Sequence, residues 1–367
     1  MSAHTGRRHV GSALMELALS LAVVVCALGI AMIFVVVSGV PPAAGAGAFI
    51  DGAFGSQLNL AGTLSKMVPL TLVALAWIIA ERAGRFHVGF PGQILVGGLF
   101  VSVVALKISG PSFVHLPLAL LVGAAGGAVY AALAALLWAK RGVNEILSTL
   151  LLNLIALQLL AWWVRYPFHD PATPLALTPA FPESVRWPSL LRDTTLHWDV
   201  VLIPLAVVAV AYTLNRTVFG FRAKIVGSNL RFAEHAGISP QRVGTAALVL
   251  SGALAGIAGT SLVLAGNVPA MSEDFGSAYG FTGIAVALLA RNSPIAVVPS
   301  ALLFAALQQG AGVMEGTVGL SSSLSGLIQG LMIIFVLAST TVLHMWRRRR
   351  DSRRDVAANE PEGARAR

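Results

Sequence analysis

Ten apolar stretches recur along the chain, over residues 17–37, 68–80, 94–108, 116–138, 146–164, 200–214, 245–265, 281–290, 295–313 and 324–343. Most are far longer than a strand, and roughly 20 apolar residues suffice to cross a bilayer as a helix. The pattern predicts an all-α polytopic membrane protein with about ten transmembrane helices. Arg7 and Arg8 precede the first run, and Ala44-Gly45-Ala46 resembles a cleavage site. A removable signal peptide is the rival reading there. Its apolar core would exceed the usual length of roughly 7–15 residues, so the run is read as a retained first helix.

Composition agrees with this pattern. Apolar residues make up 56% of the 367 and charged residues 11%, against roughly 25% charged in soluble domains. Mean hydropathy is +0.79. An ordinary soluble enzyme, a disordered chain and a nucleic-acid-binding domain are excluded. The net charge of +9 does not call for nucleic acid, because eight of the 25 Lys and Arg lie in the last 21 residues. Such a tail suits the cytosolic face and anionic lipid headgroups. With the N-terminus inside, the ten runs place 20 basic residues on inside connections and 5 outside, as the positive-inside rule requires. Without the short 281–290 run the arginine tail would fall outside, so that run is expected to cross.

The expected organisation is a cytosolic N-terminus (1–13), a transmembrane domain (14–345) and a basic cytosolic tail (346–367). The domain includes an external loop (165–199) and a cytosolic loop (216–243). The external loop carries Pro167, Pro171, Pro174, Pro179, Pro182 and Pro188, which forbid a regular helix. It reads as a lid, a dock for an external partner, or a plain structured loop. Trp162, Trp163 and Trp198 suit interface anchoring. The lone cysteine, Cys26, excludes an intramolecular disulfide and reads as buried filler.

No GxxxxGK[ST], HExxH, CxxC or GxSxG pattern occurs. No catalytic residue, metal or cofactor is expected, and the chain does not bind ATP through a P-loop. The chemistry therefore rests on polar residues at membrane depth. Glu145, Ser148, Thr149, Leu152 and Asn153 fall on one helix face. Asn144 can cap that helix, and Glu145 is either a capping carboxylate or a pathway group. Gly89, Gly92 and Gln93 lie where an apolar run is broken, and Phe281 follows Gly276 and Gly280 in the other half. Paired interruptions suggest an inverted repeat with the solute path between its halves. Gly89, Gly92, Gln93, Asn144, Glu145, Asn153 and Phe281 are the candidate path residues. Glycine packing is the rival account, and Gly123/Gly127 and Gly252/Gly256 need nothing more. Ser325 and Gln329 form a weaker polar stripe.

The inside loop GFRAKIVGSNLRFAEHAGI (220–238) combines basic residues with small apolar ones. A short helix ended near Gly237 would offer a knob to a cytosolic partner. Here the chain resembles the permease subunit of bacterial ABC importers for simple sugars, nucleosides and branched-chain amino acids. ERAGRFHVGFPGQILVGG, GVNEILSTLLLN, the 220–238 loop with LSGALAGIAGTSLVLAG, and YGFTGIAVALLARNSPIAVVPSALLFAAL carry the likeness in family order. The family usually has an acidic residue where Pro91 stands and often Asn where His87 stands.

The resemblance implies a type II ABC importer permease fold with inverted repeats, in the bacterial plasma membrane, both termini cytosolic. It implies no catalysis by this chain. An ABC ATPase would grip Gly220, Phe221, Arg222, Lys224, Val226, Gly227, Asn229, Arg231, Ala236 and Gly237. The other implied partners are an extracytoplasmic solute-binding lipoprotein and a second permease subunit, identical or a sister. The GVNE stretch favours nucleosides, then simple sugars such as ribose. A branched-chain amino acid permease, or a proton-coupled carrier using Glu145, is the alternative.

Overall fold

The computed structural model describes residues 41–266, 270–273 and 275–318, with positions 29, 330, 331 and 334. The first and last apolar runs, Cys26, the Ser325/Gln329 stripe and the basic tail lie outside the described residues. Gly47–Gly319 form one compact unit; a second unit comprises Met1–Ala46 and Leu320–Arg367, of which few residues are described.

Eleven α-helices have described bounds, beside 3-10 turns at Glu183–Val185 and Trp198–Val201. The α-helices are α1 (Pro42–Phe54), α2 (Gln57–Arg82), α3 (Phe90–Lys107), α4 (Ser112–Arg141), α5 (Glu145–Arg165), α6 (Leu202–Arg216), α7 (Val218–Ser228), α8 (Leu230–His235), α9 (Pro240–Leu264), α10 (Ser277–Leu289) and α11 (Val297–Val318). Strand pairing among these residues is limited to two isolated bridges, Leu177–Ser272 and Ser189–His197. Seven segments are long and apolar enough to cross a membrane, and α10 is a shorter apolar helix. All eight apolar runs within the described residues are thus helical.

Local chemistry sets the boundaries. The Asn144 side chain accepts from the Ile146 and Leu147 amides at 2.8 and 3.3 Å and starts α5. Ser56, Thr217, Asn229 and Ser239 cap α2, α7, α8 and α9 in the same way. Gly142 ends α4 in the left-handed region at φ 67°.

Two elements differ from the sequence expectation. The stretch between the first two runs contains α1, and α2 begins eleven residues before the 68–80 run. Polar Asn59, Ser65 and Lys66 interrupt the apolar pattern of α2 without breaking its helix. The 216–243 loop, expected to hold a short helix, holds two, split at Asn229, which leaves α7 extended and caps α8.

The centre of the unit is α2 and α9. Seventeen residues of α2 are buried, and its Met67–Ala80 stretch is buried throughout and almost wholly apolar, as a central helix must be. Helices α10 and α11 pack on α2, while α9 packs on α2, α3 and α4, and α3 packs on α4. The α4–α9 crossing is backbone to backbone. A Cβ on Gly256 would sit 2.2 Å from the Gly123 carbonyl oxygen, and one on Gly127 would sit 2.2 Å from that of Gly252. Small residues permit such contact, and lipid-embedded helices gain their association energy from it. Helices α5 and α6 bury much less against the unit.

The bundle has two chemically distinct ends. One gathers the α2–α3 corner, the α4–α5 turn, α7, α8 and the start of α9. The other is capped by residues 166–199. In that cap Phe181 and Val185 are fully buried. The Trp187 amide donates to the Leu264 carbonyl at 3.2 Å, and Thr178 exchanges hydrogen bonds with Met271 at 3.1 and 3.0 Å. The Arg165 guanidinium pairs with Glu273, and this hydrogen-bonded partner holds the Glu273 carboxyl below its usual range. Trp163 stacks on Phe168 and donates to Ser102, whereas Trp162 and Trp198 are exposed.

Candidate coupling face and solute cavity

α7 is two-faced. Ala223 and Val226 are buried against the bundle, while Phe221, Arg222 and Lys224 are exposed. In α8, Ala233 is buried, and Leu230, Arg231 and Phe232 face outward. Asn229, Ala236 and Gly237 are exposed in the connections. Two glycines seat α7. A Cβ on Gly220 would lie 2.3 Å from the Leu214 carbonyl oxygen, and one on Gly227 would lie 2.5 Å from that of Arg82. Opposite Gly227 stands Gly84, at φ 67°, whose own Cβ would approach the Gly227 Cα to 3.1 Å. The exposed knob therefore rests on the main chain of the α2–α3 corner with no side chain between.

The corner is tied inward. Arg85 reaches Glu145 at 3.5 Å and lies over the Trp138 ring at 4.2 Å, joining the end of α4 to the start of α5. His87 is buried. Its Nδ1 accepts from the Gly89 amide at 3.3 Å, so Nε2 carries the proton and donates to Ser251 at 3.1 Å. The polar face of α5 then clamps the chain entering α3. Thr149 accepts from the Val88 amide at 3.2 Å. Asn153 donates to the Val88 carbonyl at 2.8 Å and accepts from the Gly92 amide at 2.9 Å. These bonds satisfy backbone groups freed by the break, for which lipid offers no partner.

Of the path residues expected from sequence, Gly89, Gly92, Gln93 and Asn153 converge in this clamp. Gln93 is buried beside Gly89, with its Oε1 lacking a hydrogen-bond partner. Asn144 and Glu145 sit at the α7 end, as a cap and as the Arg85 partner. Phe281 is exposed on α10, next to Gly280, which packs on Pro91.

The cap end holds a cavity that the sequence reading missed. It measures about 450 Å³ and opens between α2, α9, α10, α11 and the turn before α6. Asn59, Gly62, Lys66 and Pro69 line it along one face of α2. The Lys66 ammonium donates to Gln309 Oε1 at 2.7 Å. Ser65 donates to the Thr195 carbonyl. Asp199, 1% exposed, accepts from the Ser261 hydroxyl at 2.5 Å. Its other oxygen has no partner of proper hydrogen-bond geometry, although the amides of Asp199 and Val200 face the carboxylate. Tyr279 supplies an aromatic wall. A spacing of 59, 62, 66 and 69 is a helix stripe, and this was the signal available in the sequence.

Residues 59–337 match the family described as the permease component of the branched-chain amino acid transport system. The chain belongs to this family. It is a translocation subunit that passes repeatedly through the membrane. The permease is 34% identical over 329 residues to a glucose ABC transporter permease protein of Haloferax volcanii, covering 86% of each chain. It is 31% identical over 334 residues to a guanosine ABC transporter permease protein of Bacillus subtilis, covering 90% of this chain and 95% of the relative. A nucleoside ABC transporter permease protein of Lactococcus lactis shares 32% over 295 residues, 77% of this chain and 80% of the relative. No solved structure gives a significant match.

Proposed function

We propose that the permease is the membrane half of an ATP-driven importer for a small neutral solute, a nucleoside first and a simple sugar next. A partner ATPase grips the α7–α8 knob from the cytosol. A solute-binding lipoprotein delivers cargo at the cap end, and a second permease subunit completes the path. The observation that carries this reading is the Gly227–Gly84 seat, which joins an exposed apolar and basic surface to the backbone of a clamped helix break. Ten of the fifteen Lys and Arg between residues 41 and 318 fall at the α7 end, which supports a cytosolic orientation for it. The relatives that carry nucleosides and glucose support the solute class.

The test is co-purification followed by uptake in liposomes. The permease should bring down an ATPase, and ATP inside or outside the vesicle should drive radiolabelled guanosine across in the matching direction. Arg222→Glu should abolish uptake while leaving membrane insertion intact. Normal uptake by that variant removes α7 as the coupling element. Uptake by the permease alone, collapsing with the proton gradient, replaces the reading with a secondary carrier. ATP-driven leucine uptake without guanosine uptake shifts the solute to branched-chain amino acids.

A further inference from the structure

We propose that the cavity at the cap end is a solute subsite, in which Lys66 and Asp199 hold a pair of neighbouring hydroxyl groups. The proposal rests on the nucleoside or sugar reading above and deepens it.

Three observations carry it. First, the cavity volume of about 450 Å³ falls within the range of roughly 300–1,000 Å³ typical of small-molecule sites. Second, its walls carry a cation and an anion that do not pair with each other. Lys66 is turned onto the neutral amide of Gln309, and Asp199 onto the hydroxyl of Ser261. Gly62 makes room for that arrangement, since a Cβ there would meet the Gln309 amide at 2.7 Å. Third, Asp199 Oδ1 and Thr195 Oγ1 are buried without a hydrogen-bond partner of proper geometry. A buried acceptor left unmade is costly, so it marks the place where a ligand donor fits.

The chemistry selects the ligand. Opposite charges on the two walls disfavour a net anion or a net cation, each of which would leave one wall opposed. A hydroxyl group both donates and accepts. One hydroxyl can therefore donate to Asp199 while its neighbour accepts from Lys66, and the two hydroxyls can exchange these roles. The Tyr279 ring offers an apolar face for a sugar or a base. A ribose 2′,3′-diol meets these demands without charge.

The experiment compares two ratios in the reconstituted transporter, with the binding protein saturated. Initial uptake of guanosine and of 2′,3′-dideoxyguanosine is measured for the unmodified permease and for Asp199→Asn. Preferences of the binding protein cancel, because it is the same in both. Asp199→Asn should lower guanosine uptake at least about tenfold more than dideoxyguanosine uptake, the scale of a lost hydrogen bond to a charged group. Lys66→Gln should give the same contrast and serves if Asp199→Asn does not assemble. Equal losses for both solutes, or no loss, overturn the subsite while leaving the nucleoside reading intact. Absence of guanosine uptake in the unmodified transporter defeats the nucleoside reading and the subsite together. Leucine uptake in its place would assign the two walls to a carboxylate and an ammonium and overturn the diol.

Discussion

The Gly227 seat makes a quantitative prediction. In Gly227→Ala the new Cβ would stand 2.5 Å from the Arg82 carbonyl oxygen and 3.0 Å from the Gly84 nitrogen. Ordinary contact begins at 3.4 Å, so the shortfall against Arg82 is 0.9 Å. Backbone atoms on the opposing side cannot rotate away as a side chain would. The strain is of the overpacking kind, about 1–3 kcal/mol. α7 has eleven residues and is held by Ala223 and Val226, so it is expected to lift off the corner rather than unfold. An equilibrium shifted by one or two kcal/mol changes about 5–30-fold. Solute uptake in liposomes should fall by that factor, with insertion, assembly and unstimulated ATP hydrolysis retained. Gly312→Ala, with no heavy atom within 4 Å of the added carbon, is the control and should transport normally. Full uptake by Gly227→Ala would refute the claim that the knob acts through main-chain contact.

Three further outcomes follow from the same geometry. Asn153→Ala strands the Gly92 amide and the Val88 carbonyl; at about 1–3 kcal/mol for each buried group, the thermal midpoint of the detergent-solubilised permease should drop by several degrees, and an unchanged midpoint would mean water replaces the clamp. Gly256→Ala drives carbon into the Gly123 carbonyl, so folded protein recovered by size exclusion should fall sharply, with near-native recovery disproving a tight α4–α9 crossing. Glu273 has its carboxyl held low by Arg165, so the stability this pair contributes is present above the ordinary carboxylate range and is lost as pH falls through the lowered value. Glu273→Gln should therefore differ from the unmodified protein at neutral pH and converge with it in acid, as read by thermal unfolding across pH; a pH-independent difference would exclude the ion pair as its cause.

The membrane helices were legible because burial in lipid demands long apolar runs, and 94–108, 116–138 and 245–265 all became helices. The start of α2 was not, because Asn59, Ser65 and Lys66 turn toward a cavity and so erase the apolar signal there. The Asn153 stripe was visible as one polar face of a helix. Its partners were hidden, since Val88 and Gly92 offer only backbone groups, which carry no mark in a sequence. The cavity was harder still. Lys66 and Gln309 lie 243 positions apart, and Asp199 arrives from a third segment, so no local spacing links them. The exposed α7–α8 knob showed in its mixture of small and basic residues, while its seat on Gly84 depends on a crossing that only tertiary structure reveals.

The glycine-to-glycine crossing of α4 and α9 constrains how such a protein can change shape. Two helices locked main chain to main chain behave as a single rigid spar, because neither can slide without driving a carbonyl into its neighbour. Any change of shape would then fall to segments with little surface held by the rest of the unit, such as α6, while α5 stays pinned at the α3 entry by Asn153 and at the α2–α3 corner by Glu145. A protein built this way would keep its frame still and move only at its edge.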